Sequence, residues 1–355
     1  MMNTILVTGG AGFVGSNLAI SFKKEFPKAK VVAFDNLKRR GSELNLVRLK
    51  NSGVEFAHGD IRNREDFGQV KNFDLLIECS AEPSVHAGYG ESPAYLIDTN
   101  LGGTLNCLEA ARQTNASFIF MSTSRVYPIK GLSQLKIKNA DTRFVLDESD
   151  SVLGISNQGI NENFSLGGSR SLYGATKLAS ELMITEYAEM YGMRTLINRC
   201  GVIAGPWQMG KVDQGFMVLW VARHLFGGKL TFWGYGGTGL QVRDILHIDD
   251  FSDLIKLQVS QIDKLRGEVF NIGGGIDVSV SLQELTSIVQ NLTQTQIPIE
   301  RITETRSADI PYYVSDNQKV QKILGWKPQR SRDKIVNDIV EWVREYQTQL
   351  KPILT

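Results

Sequence analysis

Tyr173 and Lys177 stand four residues apart in Tyr173-Gly174-Ala175-Thr176-Lys177. On a helix that spacing puts both side chains on one face. A free tyrosine ionises at about pH 10, too high for a useful base near neutrality. An ammonium beside it favours the phenolate and brings proton abstraction within reach. The plainer reading is an exposed surface pair, because Tyr-x-x-x-Lys is commonplace. Upstream, Ser122-Thr123-Ser124-Arg125-Val126-Tyr127 closes an apolar run. A hydroxyl there suits the task of holding a substrate oxygen against the tyrosine.

A second kind of chemistry is written near the amino terminus, in Thr8-Gly9-Gly10-Ala11-Gly12-Phe13-Val14-Gly15. Glycines at these positions allow a sharp turn, close approach to a pyrophosphate and tight helix–strand packing. The helix that follows offers free N–H groups and a positive dipole end. Three glycines alone are a weak signal. Here they follow a strand and open a helix, and Asp35 ends the next strand. That carboxylate suits ribose hydroxyls and repels a 2′-phosphate, so a dinucleotide site is expected, with NAD favoured over NADP. Lys38, Arg39 and Arg40 lie just beyond and would soften that choice.

Composition narrows the field. The chain has 355 residues, with 39 Lys plus Arg against 38 Asp plus Glu, so no global charge draws it to nucleic acid. Its three cysteines (Cys79, Cys107, Cys200) are widely spaced and read as reduced thiols. The four histidines (His58, His86, His224, His247) form no pair at metal-ligand spacing, so no metal is expected. The sequence runs from Met1 straight into an apolar strand, and its longest apolar run, 216–222, is too short to span a bilayer. A soluble cytoplasmic protein is expected.

These groups must be positioned by regular elements. Strands are expected at 5–7, 30–34, 54–57, 74–79, 117–121 and 194–198. Helices are expected at 13–26, 64–70, 93–114 and 173–191. Such alternation implies an α/β fold, a doubly wound parallel sheet of Rossmann type, with a smaller mixed α/β substrate lobe. The dinucleotide-binding domain is expected over 1–198, with 245–275 returning to it. The lobe is expected over 199–244 and 276–355, with helices at 282–292 and 332–346. The stretch 129–170 has little periodicity and reads as a long functional loop.

Taken together, Thr8 to Gly15, Asp35, Gly59-Asp60-Ile61, Ser122-Thr123-Ser124, Tyr173 to Lys177 and Gln241-Val242-Arg243-Asp244 follow in order over nearly the whole chain. The combination resembles the extended short-chain dehydrogenases that epimerise or dehydrate nucleotide sugars. The resemblance implies NAD held by Gly9, Gly12, Phe13 and Val14, with Asp35 and Asn36 at the ribose and Asp60 and Ile61 flanking the adenine. Ser80, Ala81, Glu82, Asn100 and Cys200 would line the cofactor further along, with Tyr173 and Lys177 at its reactive end. Thr123, Tyr173 and Lys177 would be catalytic. Thr123, Ser124, Gln214, Arg243 and Arg306 would hold the substrate, the two arginines at its diphosphate. A structural salt bridge is the plainer reading of each arginine.

The departures from the family pattern are equally informative. Glu78-Cys79-Ser80-Ala81-Glu82 replaces a usual His-x-Ala-Ala/Gly-x pattern, and Val202 stands where many relatives have Asn. Dehydratases of the family carry Asp-Glu after the threonine, and 3,5-epimerases carry a cysteine in the same segment. This chain has Ser124-Arg125. The resemblance therefore implies inversion of one carbon by transient oxidation and hydride return. Asp213-Gln214-Gly215, Arg62-Asn63 and the long loop around Thr142-Arg143-Phe144 are most similar to members that invert C2 of a CDP-linked deoxyhexose. The alternatives are a UDP-hexose 4-epimerase, a nucleotide-sugar dehydratase and a catalytically silent NAD-sensing protein. Helices 93–114 and 173–191 match those that pair between subunits in relatives, so a homodimer or homotetramer is expected.

Overall fold

The computed structural model describes residues 2–147, 149, 152–210 and 214–355. Its main sheet has seven strands. Five are β1 (Thr4–Thr8), β2 (Lys30–Asp35), β3 (Glu55–His58), β4 (Leu75–Glu78) and β5 (Ser117–Thr123). The others are Thr195–Cys200 and Glu268–Ile272. Their spatial order is Glu268–Ile272, Thr195–Cys200, β5, β4, β1, β2, β3. β1 pairs in parallel with β2 and with β4, β2 with β3, and β4 with β5. The order turns back at β1, so the carboxyl ends of β1 and β4 flank a topological switch point, where open α/β sheets bind ligands.

The chain divides into two compact units. The first contains Met1–Val126, Leu172–Arg199 and Ser252–Phe270, and the second contains Tyr127–Ser171, Cys200–Phe251 and Asn271–Thr355. Residues 127–171, read from the sequence with the dinucleotide domain, thus group with the second unit.

In the first unit the near-continuous apolar strands need cover on both faces. Leu6, Val32, Phe34, Leu76, Phe118 and Phe120 are fully buried in one cluster with Leu108 and Ile184 from helices. The helix Phe13–Glu25 starts directly after the glycine turn. The expected helix at 93–114 forms as Ala94–Ile97, a π-helical turn Asp98–Gly103 and Thr104–Thr114, closed by Asn115 in the left-handed region. The expected helix at 64–70 is instead a 3-10 segment, Arg64–Gln69, capped by Asn63.

The second unit is built on Val242–His247, which pairs in parallel with Val202–Ala204 and Tyr312–Tyr313 and antiparallel with Ser279–Ser281. A separate two-stranded sheet joins Leu230–Trp233 to Ile299–Ile302. The expected long loop is not structureless. It holds the hairpins Ile137–Ala140/Arg143–Leu146 and Ile155–Ser156/Gly159–Ile160. Arg143 ties it down, donating to Glu284 and to Ser279 Oγ (2.7 Å). Glu284 is itself the third residue of a capping box with Ser281 at the start of the helix Leu282–Thr293.

Candidate functional site: a dinucleotide cradle and a Tyr–Lys helix

In the first unit, the passage from β1 into the helix Phe13–Glu25 demands glycine at two points. Gly9 has φ +62°, and a Cβ there would lie 2.8 Å from the Cys79 carbonyl carbon. A Cβ on Gly15 would lie 2.1 Å from the Gly9 oxygen. Backbone therefore packs on backbone, and the helix N-terminus at Gly12 has no side-chain cap of its own. This is a cradle that a dinucleotide pyrophosphate fits.

Asp35 reaches back to the cradle, accepting from Ala11 N (3.1 Å) and Leu37 N (2.7 Å). Burial pushes its carboxyl above the usual range, against the pull of these backbone donors. Asn36 donates to Asp60 Oδ2 at 2.9 Å, and Arg62 forks onto the same carboxylate. The Arg62 hydrogen bonds hold the Asp60 carboxyl well below its ordinary value. Lys38 lies 3.1 Å above the Tyr95 ring, with the Arg62 guanidinium 4.7 Å from the same ring. Asp35, Asn36, Asp60 and the basic residues beyond them thus form one polar rim, and Ile61 is buried behind it.

Asn100 occupies the π-helical turn and is fully buried. Its side chain accepts from Glu82 N (2.8 Å) and donates to Glu82 O (3.0 Å), fixing the Ser80–Glu82 segment past β4. Its carbonyl accepts from Ser180 Oγ at 3.0 Å and so ties this turn to the helix Leu172–Tyr191.

That helix carries Tyr173 and Lys177 as expected. Tyr173 is partly exposed, whereas Lys177 is 1% exposed, its Nζ 4.4 Å from the Phe120 ring and 3.9 Å from Glu78 Oε2. Two turns beyond Tyr173, Glu181 accepts a fork from buried Arg199 (2.7 Å to Oε2) and a 2.5 Å bond from Ser122 Oγ. This network locks the helix to β5 one residue before Thr123. The Thr123 Oγ accepts from Arg125 N at 3.2 Å, so its own proton is directed elsewhere, as a donor to a substrate oxygen requires. Ser124 and Arg125 form the 3-10 turn that ends the strand. The Ser122–Glu181–Arg199 network escaped the sequence reading; the helical spacing of Tyr173, Lys177 and Glu181 was its visible trace.

The second unit holds the remaining residues expected at the site. Arg243 donates to Asp309 Oδ1 (3.1 Å) and to the Ile310 carbonyl (2.7 Å). The Arg306 guanidinium carbon lies over the Trp233 ring, 3.9 Å from its centroid, an arrangement sequence spacing did not reveal. Cys200 is buried. Gln214 precedes Gly215, whose φ of +66° turns the chain into the helix Phe216–Phe226. Asp213 lies outside the described residues. Asp244, next to Arg243, is fully buried and accepts from Ser315 N (3.1 Å) and Gly275 N (3.4 Å). Burial pushes its carboxyl up to about 6. A Cβ on Gly273 would fall 1.7 Å from Asp244 Oδ2, so the glycine makes room for the carboxylate.

Among the described residues no helix is long and apolar enough to cross a membrane. Comparison with known proteins gives a consistent picture. The profile of the NAD dependent epimerase/dehydratase family matches residues 5–273. CDP-paratose 2-epimerase of Salmonella typhi is 32% identical over 351 residues, covering 95% of this chain and 98% of that one. dTDP-glucose 4,6-dehydratase of Escherichia coli is 29% identical, covering 95% and 92%. In fold, the chain is similar to the UDP-glucuronic acid 4-epimerase of Bacillus cereus, solved with UDP-glucuronic acid and NAD. There the TM-score is 0.79 at 24% identity, covering 96% of this chain and 99% of that one. With the family profile spanning most of the sequence, the chain belongs to the NAD dependent epimerase/dehydratase family and is an NAD-dependent enzyme.

Proposed function

We propose that the protein is a nucleotide-sugar epimerase that inverts C2 of a CDP-linked deoxyhexose, converting CDP-paratose to CDP-tyvelose. The observation that carries an epimerase rather than a dehydratase is the turn after β5. Thr123 is followed there by Ser124-Arg125, and no carboxyl stands at those two positions to protonate a leaving hydroxyl. The sugar and the carbon rest on the 32% identity to CDP-paratose 2-epimerase and on the Arg62-Asn63, long-loop and Gln214-Gly215 segments.

In this reading Gly9, Gly12, Phe13 and Val14 hold the cofactor's pyrophosphate, and Asp35 and Asn36 hold its adenosine ribose. Asp60, Ile61, Ser80, Ala81, Glu82 and Cys200 line its length, and Asn100 fixes the Glu82 backbone. NAD, when bound, supplies hydride acceptance and return at one sugar carbon. Tyr173, as phenolate, takes the proton of the adjoining hydroxyl and later gives it back. Thr123 donates a hydrogen bond to that oxygen, and Lys177 keeps a positive charge beside the phenolate while bonding ribose hydroxyls. Arg243 and Arg306 hold the diphosphate, for which a guanidinium fork is geometrically suited. Ser124 and Gln214 complete the grip on the sugar nucleotide. The enzyme assembles as a homodimer or homotetramer. Leu182 (63% exposed) and Met190 (67% exposed) on the helix Leu172–Tyr191 supply apolar surface for that contact.

Isotope labelling tests the reaction. In deuterium oxide the product should carry no carbon-bound deuterium, and substrate deuterated at C2 should keep its label through inversion. Solvent deuterium at the inverted carbon would replace hydride return with deprotonation. Retained label with inversion at C4 would instead make the enzyme a 4-epimerase.

A further inference from the structure

We propose that Glu78, the last residue of β4, is a positioning residue: its carboxylate is the fixed counter-charge of Lys177 and sets the pH range in which the Tyr173–Lys177 pair works. This rests on the catalytic assignment proposed above. Glu78 has no solvent exposure at all. Its Oε2 lies 3.9 Å from Lys177 Nζ and accepts from Thr104 Oγ1 at 3.3 Å; the Ser80 backbone N–H also draws on the carboxyl, but among the described residues Oε1 has no hydrogen bond of good geometry. A buried carboxylate so sparsely bonded is costly unless an opposite charge faces it.

Around it, Thr8 of β1 and Phe120 of β5 are its register partners, and Thr104 and Cys107 face it from the helix Thr104–Thr114. Burial, reinforced by the Glu78 charge, pushes the Cys107 thiol up and keeps it neutral. Lys177 is the cation in this set. Burial raises the Glu78 carboxyl, and the lysine opposes that rise. Glu181, one turn beyond Lys177, is already taken up by Arg199 and Ser122. At 3.9 Å the pair is beyond direct hydrogen bonding, so Glu78 holds the ammonium electrostatically without using its donors. Those three N–H donors stay available for ribose hydroxyls and for the phenolate.

Removing a negative charge lowers the proton affinity of every neighbour, tyrosine and lysine alike. Glu78→Gln keeps the shape and the Thr104 bond but loses the charge. Both limbs of its kcat–pH profile should move to lower pH, the lysine limb by about one unit or more at 3.9 Å and the tyrosine limb in the same direction. Glu78→Asp, which keeps the charge, should restore the wild-type position. A lowered rate and melting temperature with an unmoved profile would reduce Glu78 to packing and overturn the proposal.

A second readout needs no turnover. In protein labelled with δ-13C glutamate, the carboxyl resonance lost in Glu78→Gln should be ionised near neutral pH in the wild type and protonated in Lys177→Met. A carboxyl already protonated in the wild type sinks the idea. Near-normal activity in Tyr173→Phe would instead undo the catalytic assignment, leaving the carboxyl measurement to stand on its own.

Discussion

The two units treat their charged site groups differently. In the first, Lys177 and the Glu181–Arg199 pair lie almost wholly out of water, each facing an opposite charge from a strand of the main sheet or its covering helix. In the second, Arg243 meets Asp309 with side-chain exposures of 14% and 21%, and Arg306 rests on an indole face. A buried pair is hard to exchange, because breaking it strands a charge in low dielectric. A partly wet arginine can trade its carboxylate for a phosphate oxygen at little cost. The first arrangement suits groups that must keep a fixed distance from a reacting atom, and the second suits groups that capture and release a ligand.

The sharpest way to break this contrast is Tyr173→Phe. The ring still packs and the cofactor still binds, but the proton acceptor is gone, so kcat should fall by about 10³-fold or more. Steady-state kinetics beside NAD calorimetry check this, and a near-wild-type rate would remove the first unit's claim to the chemistry.

Next in size is the pH dependence of Asp244, the buried carboxyl of the second unit. Its folded-state value is raised to about 6, so the folded protein binds this proton more tightly than the unfolded chain does. The resulting stabilisation is complete below about pH 4 and is lost as pH rises towards 6, a change on the order of 3 kcal/mol. Urea unfolding across that window should show the decline in the wild type and a flatter response in Asp244→Asn. Equal slopes would mean the carboxyl is no more basic folded than unfolded.

The smallest effect expected is that of Arg243→Ala. Loss of charge-assisted bonds to a diphosphate should cost on the order of 2–3 kcal/mol in kcat/KM, carried by KM. Unchanged KM with a lowered melting temperature would make the Asp309 pair purely structural, and the contrast between the units would lose its functional half.

The main sheet was legible because its strands are apolar runs separated by helices of regular period; the five strands β1 to β5 lie within two residues of their expected bounds. The glycine cradle and the Tyr173–Lys177 face were legible for a related reason, since backbone crowding and helical phase leave marks at fixed spacing. The second unit was harder. Its hairpins at 137–146 and 155–160 are two to four residues per strand, too short for alternation to register. What fixes them is remote: Arg143 to Glu284, and Ser156 to Asp316. The Glu78–Lys177 and Trp233–Arg306 pairs are likewise products of the fold, joining residues far apart in the chain. Even so, Glu78 could be singled out as a departure from the family pattern before its neighbour was known.

The π-helical turn at Asp98–Gly103 has a genealogical consequence. Such a turn is a helix carrying one residue more than its α-helical phase requires. Losing one residue inside the turn would return it to an unbroken α-helix, and the flanking turns would keep the faces they present now, at the cost of the hold of Asn100 on Glu82. Losing one anywhere else along the helix would rotate everything before it by about 100°, the angle each residue contributes, and Leu96, now buried, would swing away from the core. Descendants of this sequence can therefore shorten the helix by one residue at this turn, and nowhere else without repacking it.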